Sequence, residues 1–407
     1  MLTRLIHLYR RPAQGFLKVL CAAVVLTGCG GGGSGDSASP ATRTSFAAGP
    51  ITGFGSIIVN GVRFDDSSAS VSDDDGNSRR NDELRLGMMA EVESSGITTD
   101  GSGSHGKARS IRFGSEIVGP VFSVAADGKS LVVLGQTVQV TATTLFDDRL
   151  VGGLAGLVPG TSVVEVHAVL DVATGVYAAT RIEPKSNAQF FKLRGVVSNI
   201  DKTAHTFKIG NGTDTISYDA IAASVPAALD NGLMVRVKLQ TAQVAGKWVA
   251  ANIKSGVRKL EDHDEAEIEG TITATTFPVD KKFSVNGIPV DATNATFPKG
   301  SDGIVLGARV EVKGSAVNGV IVATRVNLED ENDREREGFE LHGVISAFDG
   351  TAKTFVLRGV TVSFGGANVE FRKGAAADLA NGKKIEVKGV RSSDGMTLAA
   401  TRISFED

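Results

Sequence analysis

Ala179-Thr180-Arg181-Ile182 ends a stretch of alternating apolar and polar residues, and the same four-residue close returns along the chain. It recurs as Ala323-Thr324-Arg325-Val326 and Ala400-Thr401-Arg402-Ile403, and in looser form as Ala108-Arg109-Ser110-Ile111 and Ala250-Ala251-Asn252-Ile253. The aliphatic residue ending each copy, from Ile111 to Ile403, is spaced by 71, 71, 73 and 77 residues. A second landmark, a glycine opening an alternating run, keeps step at Gly87, Gly160, Gly232, Gly307 and Gly382. A third, Gly-x-aliphatic, falls at Gly119, Gly195, Gly270 and Gly343, with Pro50-Ile51 standing in for it in the first copy. Three landmarks in register through five copies identify a repeat protein in which each repeat is one supersecondary unit.

The third copy shows the order of elements most clearly. Gly195-Val196-Val197-Ser198-Asn199-Ile200 and Thr206-Phe207-Lys208-Ile209 read as strands, with a turn at Gly210-Asn211-Gly212 and a third strand at Thr215-Ile216-Ser217-Tyr218. Ser224 to Asp230 reads as a short helix, with Pro226 near its start and Asn231-Gly232 as its stop. Val235-Arg236-Val237-Lys238-Leu239 alternates as a fourth strand, and Lys247 to Ile253 makes a fifth. Three strands, a short helix and two strands is the order of the OB-fold, a small Greek-key barrel whose closure removes exposed edges. The expected fold is therefore all-β: a tandem array of five small OB-like five-stranded barrels, each with one short helix. The expected barrels are residues 49–115, 116–186, 187–257, 265–329 and 338–407. An acidic linker at 258–264 and a charged one at 330–337 make the last two junctions looser than the first, which favours an elongated rod.

Ahead of the repeats, Arg4, Arg10, Arg11 and Lys18 precede an apolar run from Val19 to Leu26, far shorter than the ~20 residues a spanning helix needs. Leu26-Thr27-Gly28-Cys29 follows and matches the bacterial lipobox. Residues 1–28 are thus expected to be a lipoprotein signal peptide, with Cys29 the lipidated residue and the partner membrane reached through its acyl chains. Residues 29–48, rich in Gly and Ser, are expected to be a flexible tether. Without residues 1–28 the chain carries 39 basic against 46 acidic side chains, a net charge of −7. That balance leaves no concentrated positive patch for nucleic acid. The two cysteines, Cys21 and Cys29, both lie in the first 29 residues, so no disulfide framework or Cys-based metal site exists downstream.

The chain resembles Gram-negative lipoproteins that carry a Gly-rich tether and tandem small barrels, grouped under a domain of unknown function. The resemblance covers residues 49–407 and rests on the Gly-x-aliphatic opening, a Leu-x-x-Gly-x-x-Val-x-Val strand entry and the Ala-Thr-Arg-Ile close. It implies an OB-like barrel and no activity, and it supplies no functional residues. In such families Gly30, where sorting signals place Asp, usually implies delivery to the outer membrane.

Several short patterns invite chemistry. Gly101-Ser102-Gly103-Ser104-His105-Gly106 fits GxGxxG but joins two strands, where a hairpin tip is the better reading than a dinucleotide site. Asp73-Asp74-Asp75-Gly76-Asn77 lies in an insertion, Asp73 to Glu83, read as an exposed polar loop; its acids do not alternate as a calcium loop requires. Asp262-His263-Asp264 offers ligand chemistry within a linker and reads as a solvated charge run. Glu91, Glu165, Glu311 and Glu386 share one repeat position, but the third copy has Arg236 there, which a catalytic acid would not tolerate. Trp248 and its counterpart Tyr177 are the stacking candidates for a sugar, set against core packing, since Ile321 and Leu398 fill the same position. Strand parity places Trp248 opposite Ile253 unless a bulge intervenes.

No nucleophile and base stand at recognisable spacing, so no catalytic residue, metal or cofactor is assigned. The expected role is a non-enzymatic envelope scaffold or interaction protein with an envelope protein or polysaccharide partner. Its alternatives are a module binding oligosaccharide or cell-wall polymer and, behind it, a hydrolase with an unrecognised acidic site.

Overall fold

The structure, a computed structural model, describes residues 43–406 apart from 102, 258, 331, 332, 334, 335, 337, 393 and 394. The expected signal peptide, the lipobox and Cys29 lie outside the described residues. Strands make up 56% of the described residues and helical turns 5%, so the class is all-β.

The first repeat contributes β1 (Ser45–Phe54), β2 (Ile57–Val59), β3 (Val62–Asp65), β4 (Ser70–Asp73), β5 (Ser78–Arg79), β6 (Met89–Asp100) and β7 (Gly103–Gly114). The second holds β8 (Ile117–Val124), β9 (Ser130–Val133), β10 (Gln136–Phe146), β11 (Val163–Asp171) and β12 (Val176–Pro184). The third holds β13 (Phe191–Asp201), β14 (Thr206–Ile209), β15 (Ile216–Ser217), β16 (Met234–Leu239) and β17 (Trp248–Ser255). The fourth holds β18 (His263–Thr275), β19 (Lys282–Val285), β20 (Ile288–Asp291), β21 (Arg309–Val317) and β22 (Val320–Leu328). The fifth holds β23 (Phe339–Val344), β24 (Ser346–Asp349), β25 (Thr354–Leu357), β26 (Val360–Ser363), β27 (Glu370–Arg372), β28 (Lys384–Arg391) and β29 (Leu398–Phe405).

One pairing scheme recurs. In the second repeat β8 pairs antiparallel with β9, β9 with β10, β8 with β11 and β11 with β12, and a parallel pairing of β10 with β12 closes the ring. The third repeat closes through β15 and β17, the fourth through β20 and β22, the first through β3 and β7 and the fifth through β26 and β29, all parallel. The products are small five-stranded barrels.

The repeated close is a β-bulge. Between the fourth and fifth strands of every ring the register skips one residue: Arg109, Thr180, Ala251, Thr324 or Thr401. An extra residue reverses the alternation of faces. The alanine before the skipped residue and the aliphatic residue two places after it therefore both point inward, as with Ala179 and Ile182, each 0% exposed. Where the skipped residue is Thr324 or Thr401, its hydroxyl donates to the carbonyl of Lys313 or Lys388, each at 3.1 Å. The same bulge brings Trp248 to the inner face beside Ile253.

The second landmark has an equally local cause. Gly232 has φ +87° and its N–H donates to the Val197 carbonyl at 2.9 Å, tying the entry of the fourth strand to the first. A side chain at that φ is disfavoured by about 1–2 kcal/mol. No atom lies within 4 Å of where a Cβ would sit, so backbone strain alone decides the effect. Gly232→Ala is expected to lower stability by about 1–2 kcal/mol, read as an earlier urea transition of Trp248 fluorescence; an unchanged midpoint would refute the strain argument.

The structure corrects four expectations. In the first copy the third landmark is Gly49 rather than Pro50-Ile51: Gly49 faces Ala90 as Gly119 faces Val164, and a Cβ on it would lie 2.1 Å from Asn60 Oδ1. The short helices are 3-10 turns at Asn81–Glu83, Gly153–Gly156, Asp219–Ser224 and Ala376–Asp378, with none described in the fourth repeat. In the third, the turn precedes Pro226, because the residue before a proline is pushed out of the helical region and Val225 is extended (ψ 155°). Residues 45–48, assigned to the tether, belong to β1, and His263 and Asp264, assigned to the acidic linker, begin β18.

The rings also do not line up as a rod. β1 pairs with β6 of its own ring from Ser45 to Pro50, and each end also pairs with another ring: Ser45–Ala48 run parallel to Glu265–Ile268 of β18, and Gly53-Phe54 run parallel to Glu340-Leu341 of β23. The first strands of the second and third rings pair as well, Lys192 with Val118 and Leu193 with Ile117. Thr42–Asp407 accordingly cluster as one compact unit. The cores show the same joining: buried residues of the second and third rings form one cluster, the first and fifth another, and the fourth ring's cluster takes in Phe46 from β1.

Candidate functional site

The two stacking candidates lie in the core cluster shared by the second and third rings. Trp248 is 8% exposed, donates Nε1–H to Asp214 Oδ2 at 2.8 Å and meets Phe191 edge-on at 5.5 Å. Tyr177 is 1% exposed and donates its hydroxyl to the Arg194 carbonyl at 2.7 Å; burial raises its pKa. Neither ring offers a face to a sugar. The GxGxxG stretch is the β6–β7 hairpin tip, where Asp100 pairs with Gly103.

Residues 76–82 of the Asp73–Glu83 insertion are exposed, as its composition suggests, but Asp73, Asp74 and Asp75 are half-buried. Asp74 reaches the third ring and pairs with Lys192 at 3.0 Å and Arg236 at 2.9 Å, while Asp75 pairs with Lys238 at 2.7 Å. Burial pushes the Asp74 carboxyl up, but the two cations outweigh it and hold it below the ordinary range. Asp73 Oδ1 accepts the N–H groups of Asp75 and Asn77, and Oδ2 accepts Arg79 at 2.9 Å. The acids of the calcium-like stretch are thus turned toward protein donors. This docking also explains why the third copy departs from the glutamate column: Arg236 is 9% exposed because Asp74 sits against it.

Asp262-His263-Asp264 is likewise fixed in place. Asp264 accepts the Thr44 N–H at 2.9 Å, Asp262 accepts the Asn318 N–H at 2.6 Å, and His263 stacks on Phe46 at 5.7 Å. Glu311, another member of the glutamate column, lies beside buried Glu267, with Lys313 within 2.7 Å of Glu267 and 3.2 Å of Glu311. Burial and the neighbouring Glu311 carboxylate raise the pKa of Glu267 against the pull of Lys313. Neither glutamate lines any of the three clefts that open between rings.

Glu340, His342 and Glu386 bring ligand-type atoms within 4.8 Å of one another on the first and fourth strands of the fifth ring. Their neighbours oppose a cation. Arg63 of β3 pairs with Glu340 and approaches His342 Nε2 at 2.9 Å, and Lys388 pairs with Glu340 at 3.0 Å. His342 is bonded to Glu340 at 2.7 Å and to Glu406 at 2.8 Å, and these carboxylates raise its pKa. The group is an ion-pair network at the seam of the first and fifth rings.

Space for a ligand opens where three rings meet. A cleft of about 730 Å³ lies among the first, second and fifth rings, with Leu86, Leu145, Phe146 and Leu398 among its apolar lining. Burial and the adjacent Asp147 raise the pKa of Asp148 at its edge. A second cleft, about 750 Å³, lies among the first three rings and shares Arg85, Asp147 and Arg149 with the first. A third, about 460 Å³, separates the first, third and fourth rings and is lined in part by Lys254 and Lys259.

The connection between the second and third rings, Lys185 to Phe190, lines the second cleft, and Phe190 is 49% exposed. Sequence reasoning passed over Phe190. Its signal was available: five residues before the Gly195 landmark it is the one aromatic residue, where the other copies carry Thr44, Gly114, Glu265 and Gly338.

Comparison with known proteins gives a result at the level of the repeat. No curated protein matches the chain. Residues 118–183, 269–327 and 342–404 each match a domain of unknown function, DUF5666, and these three stretches fall in the second, fourth and fifth rings. The chain therefore contains three copies similar to one uncharacterised domain family.

Proposed function

We propose that the chain is a lipid-anchored cell-envelope protein: five OB-like barrels in tandem, assembled as a non-enzymatic scaffold or interaction body and held at the outer membrane through acylated Cys29. The lipobox supports the anchor, and the strand order within each ring is that of the Greek-key barrel named above. The observation that carries the interaction reading is the use made of the charged side chains. Asp74, Glu340 and His342 lie in seams between rings and are bonded to cations or acids there, so they serve assembly. The partner is an envelope protein or polysaccharide; the acidic balance disfavours nucleic acid. A second reading, binding of an oligosaccharide or cell-wall polymer, draws support from the half-exposed Phe190 at a large cleft. A hydrolase with an acidic site is the third and least supported.

Expression in a Gram-negative host with labelled palmitate tests the anchor. The wild-type chain is expected to carry the label and to sediment with outer membranes. Cys29→Ser is expected to lose the label and leave the membrane fraction. Retention of label by the variant would end the lipoprotein reading.

A further inference from the structure

We propose that the cleft among the first three rings is a binding site for an uncharged oligosaccharide, with Phe190 as its stacking platform. The proposal rests on the interaction reading above and deepens it. The cleft is open to solvent on one side and offers about 750 Å³, within the range of sites that hold compact organic ligands. Its walls are densely charged, yet most of the charges are matched, among them Lys192 with Asp74, Lys238 with Asp75, and Lys185 with Glu165 at 2.5 Å. Compensated pairs leave little net field to attract an ion, and a charged ligand would have to compete with partners already in place. The same pairs present carboxylate acceptors and ammonium donors side by side, which suits hydroxyl groups that both donate and accept.

Phe190 supplies the apolar element. The adjoining Phe191 points into the core at 6% exposed, whereas Phe190 stays half-exposed at the cleft, with Lys238 Nζ 5.9 Å from its ring centroid. Half-exposed aromatic carbon at the margin of a polar cleft matches the C–H face of a pyranose. On the connection beside it, Gln189 donates its amide to the Asn187 carbonyl at 3.3 Å, and both residues line the cleft.

The test is calorimetric titration of the full-length chain, in a non-glycosidic detergent, with maltotetraose, chitotetraose and an acidic tetragalacturonate. At least one neutral tetrasaccharide is expected to bind, and Phe190→Ala is expected to weaken it about tenfold without moving the unfolding transition. The buried substitution Trp248→Phe is expected to leave the affinity unchanged. The proposal is overturned if neither neutral sugar binds at concentrations on the order of 1 mM, if Phe190→Ala binds as the wild type does, or if the acidic oligomer is preferred. Recovery of shortened sugar after titration would instead refute the non-enzymatic reading and leave the site standing.

Discussion

Deletion of Ala251 is expected to unfold the third ring, and the chain's single tryptophan reports it. Ala251 is the extra residue of the bulge between β16 and β17, where Lys238 faces Asn252 and Leu239 faces Ala250. Without it, strict alternation forces a choice. Either Ile253 stays inside and Trp248 and Ala250 turn to solvent, or those two stay and Ile253 leaves. Removing a buried tryptophan from a core lowers stability by about 3–5 kcal/mol, and the slip would also expose Asp214 to the loss of its indole donor. Tryptophan emission should shift to the red in the absence of denaturant, with the urea transition of that ring lost. Ala251→Thr is the matching control. It keeps the extra residue and places there the side chain that three other rings already carry, so its effect is expected to stay within about 0.5 kcal/mol. Unshifted emission in the deletion variant would show that the bulge does not set the face of Trp248.

The part of the fold that was legible in the sequence is the part written within single repeats. Inward residues recur at a fixed spacing, turns are marked by Gly and Asn, and the all-β class is implied by period-two alternation. The exposed reading of Asp74, the flexible reading of Ser45 to Ala48 and the solvated reading of His263 failed for one shared reason. Each of these groups meets a residue from another ring: Asp74 meets Lys192 and Arg236, Ser45 to Ala48 meet Glu265 to Ile268 as well as Glu91 to Ser94 of their own ring, and His263 meets Phe46. A repeat specifies its own barrel through periodicity, but the docking of barrels is written in polar side chains that look like ordinary surface. β1 hides in another way. It is buried on both sides over most of its length, so it has no alternation to betray it. The one visible hint of docking was an exception to the repeat, Arg236 in a column of glutamates. The candidate site shows the same logic, since Phe190 stands out only by lacking aromatic counterparts.

Replacement of Phe46 by alanine is expected to separate the fourth ring energetically from the rest. Phe46 lies on β1, which belongs to the first ring, yet it is 1% exposed within the core cluster of the fourth, beside Ile268 and Ile272. Its neighbours Ala47 and Ile51 point the other way, into the cluster of the first and fifth rings. One short segment therefore joins two cores, and its large side chain fills the one it does not belong to by sequence. Phe-to-Ala changes in cores lower stability by about 3–5 kcal/mol, because lost transfer free energy is compounded by the cavity left behind. Here the loss should be regional. Amide hydrogen exchange should accelerate along β18, whose parallel pairing with Ser45 to Ala48 depends on the same contact, while the Trp248 transition in the third ring stays in place. Phe122→Ala supplies the comparison, since Phe122 is 78% exposed and its removal is expected to change stability by less than about 0.5 kcal/mol. Equal protection of β18 in wild type and Phe46→Ala would mean that the fourth ring holds its place without β1. A uniform loss of protection in every ring would mean that the rings unfold as a single cooperative body. A loss confined to β18 and its ring requires that the fourth barrel be an energetic unit of its own, joined to the rest through the few long-range contacts that β1 supplies.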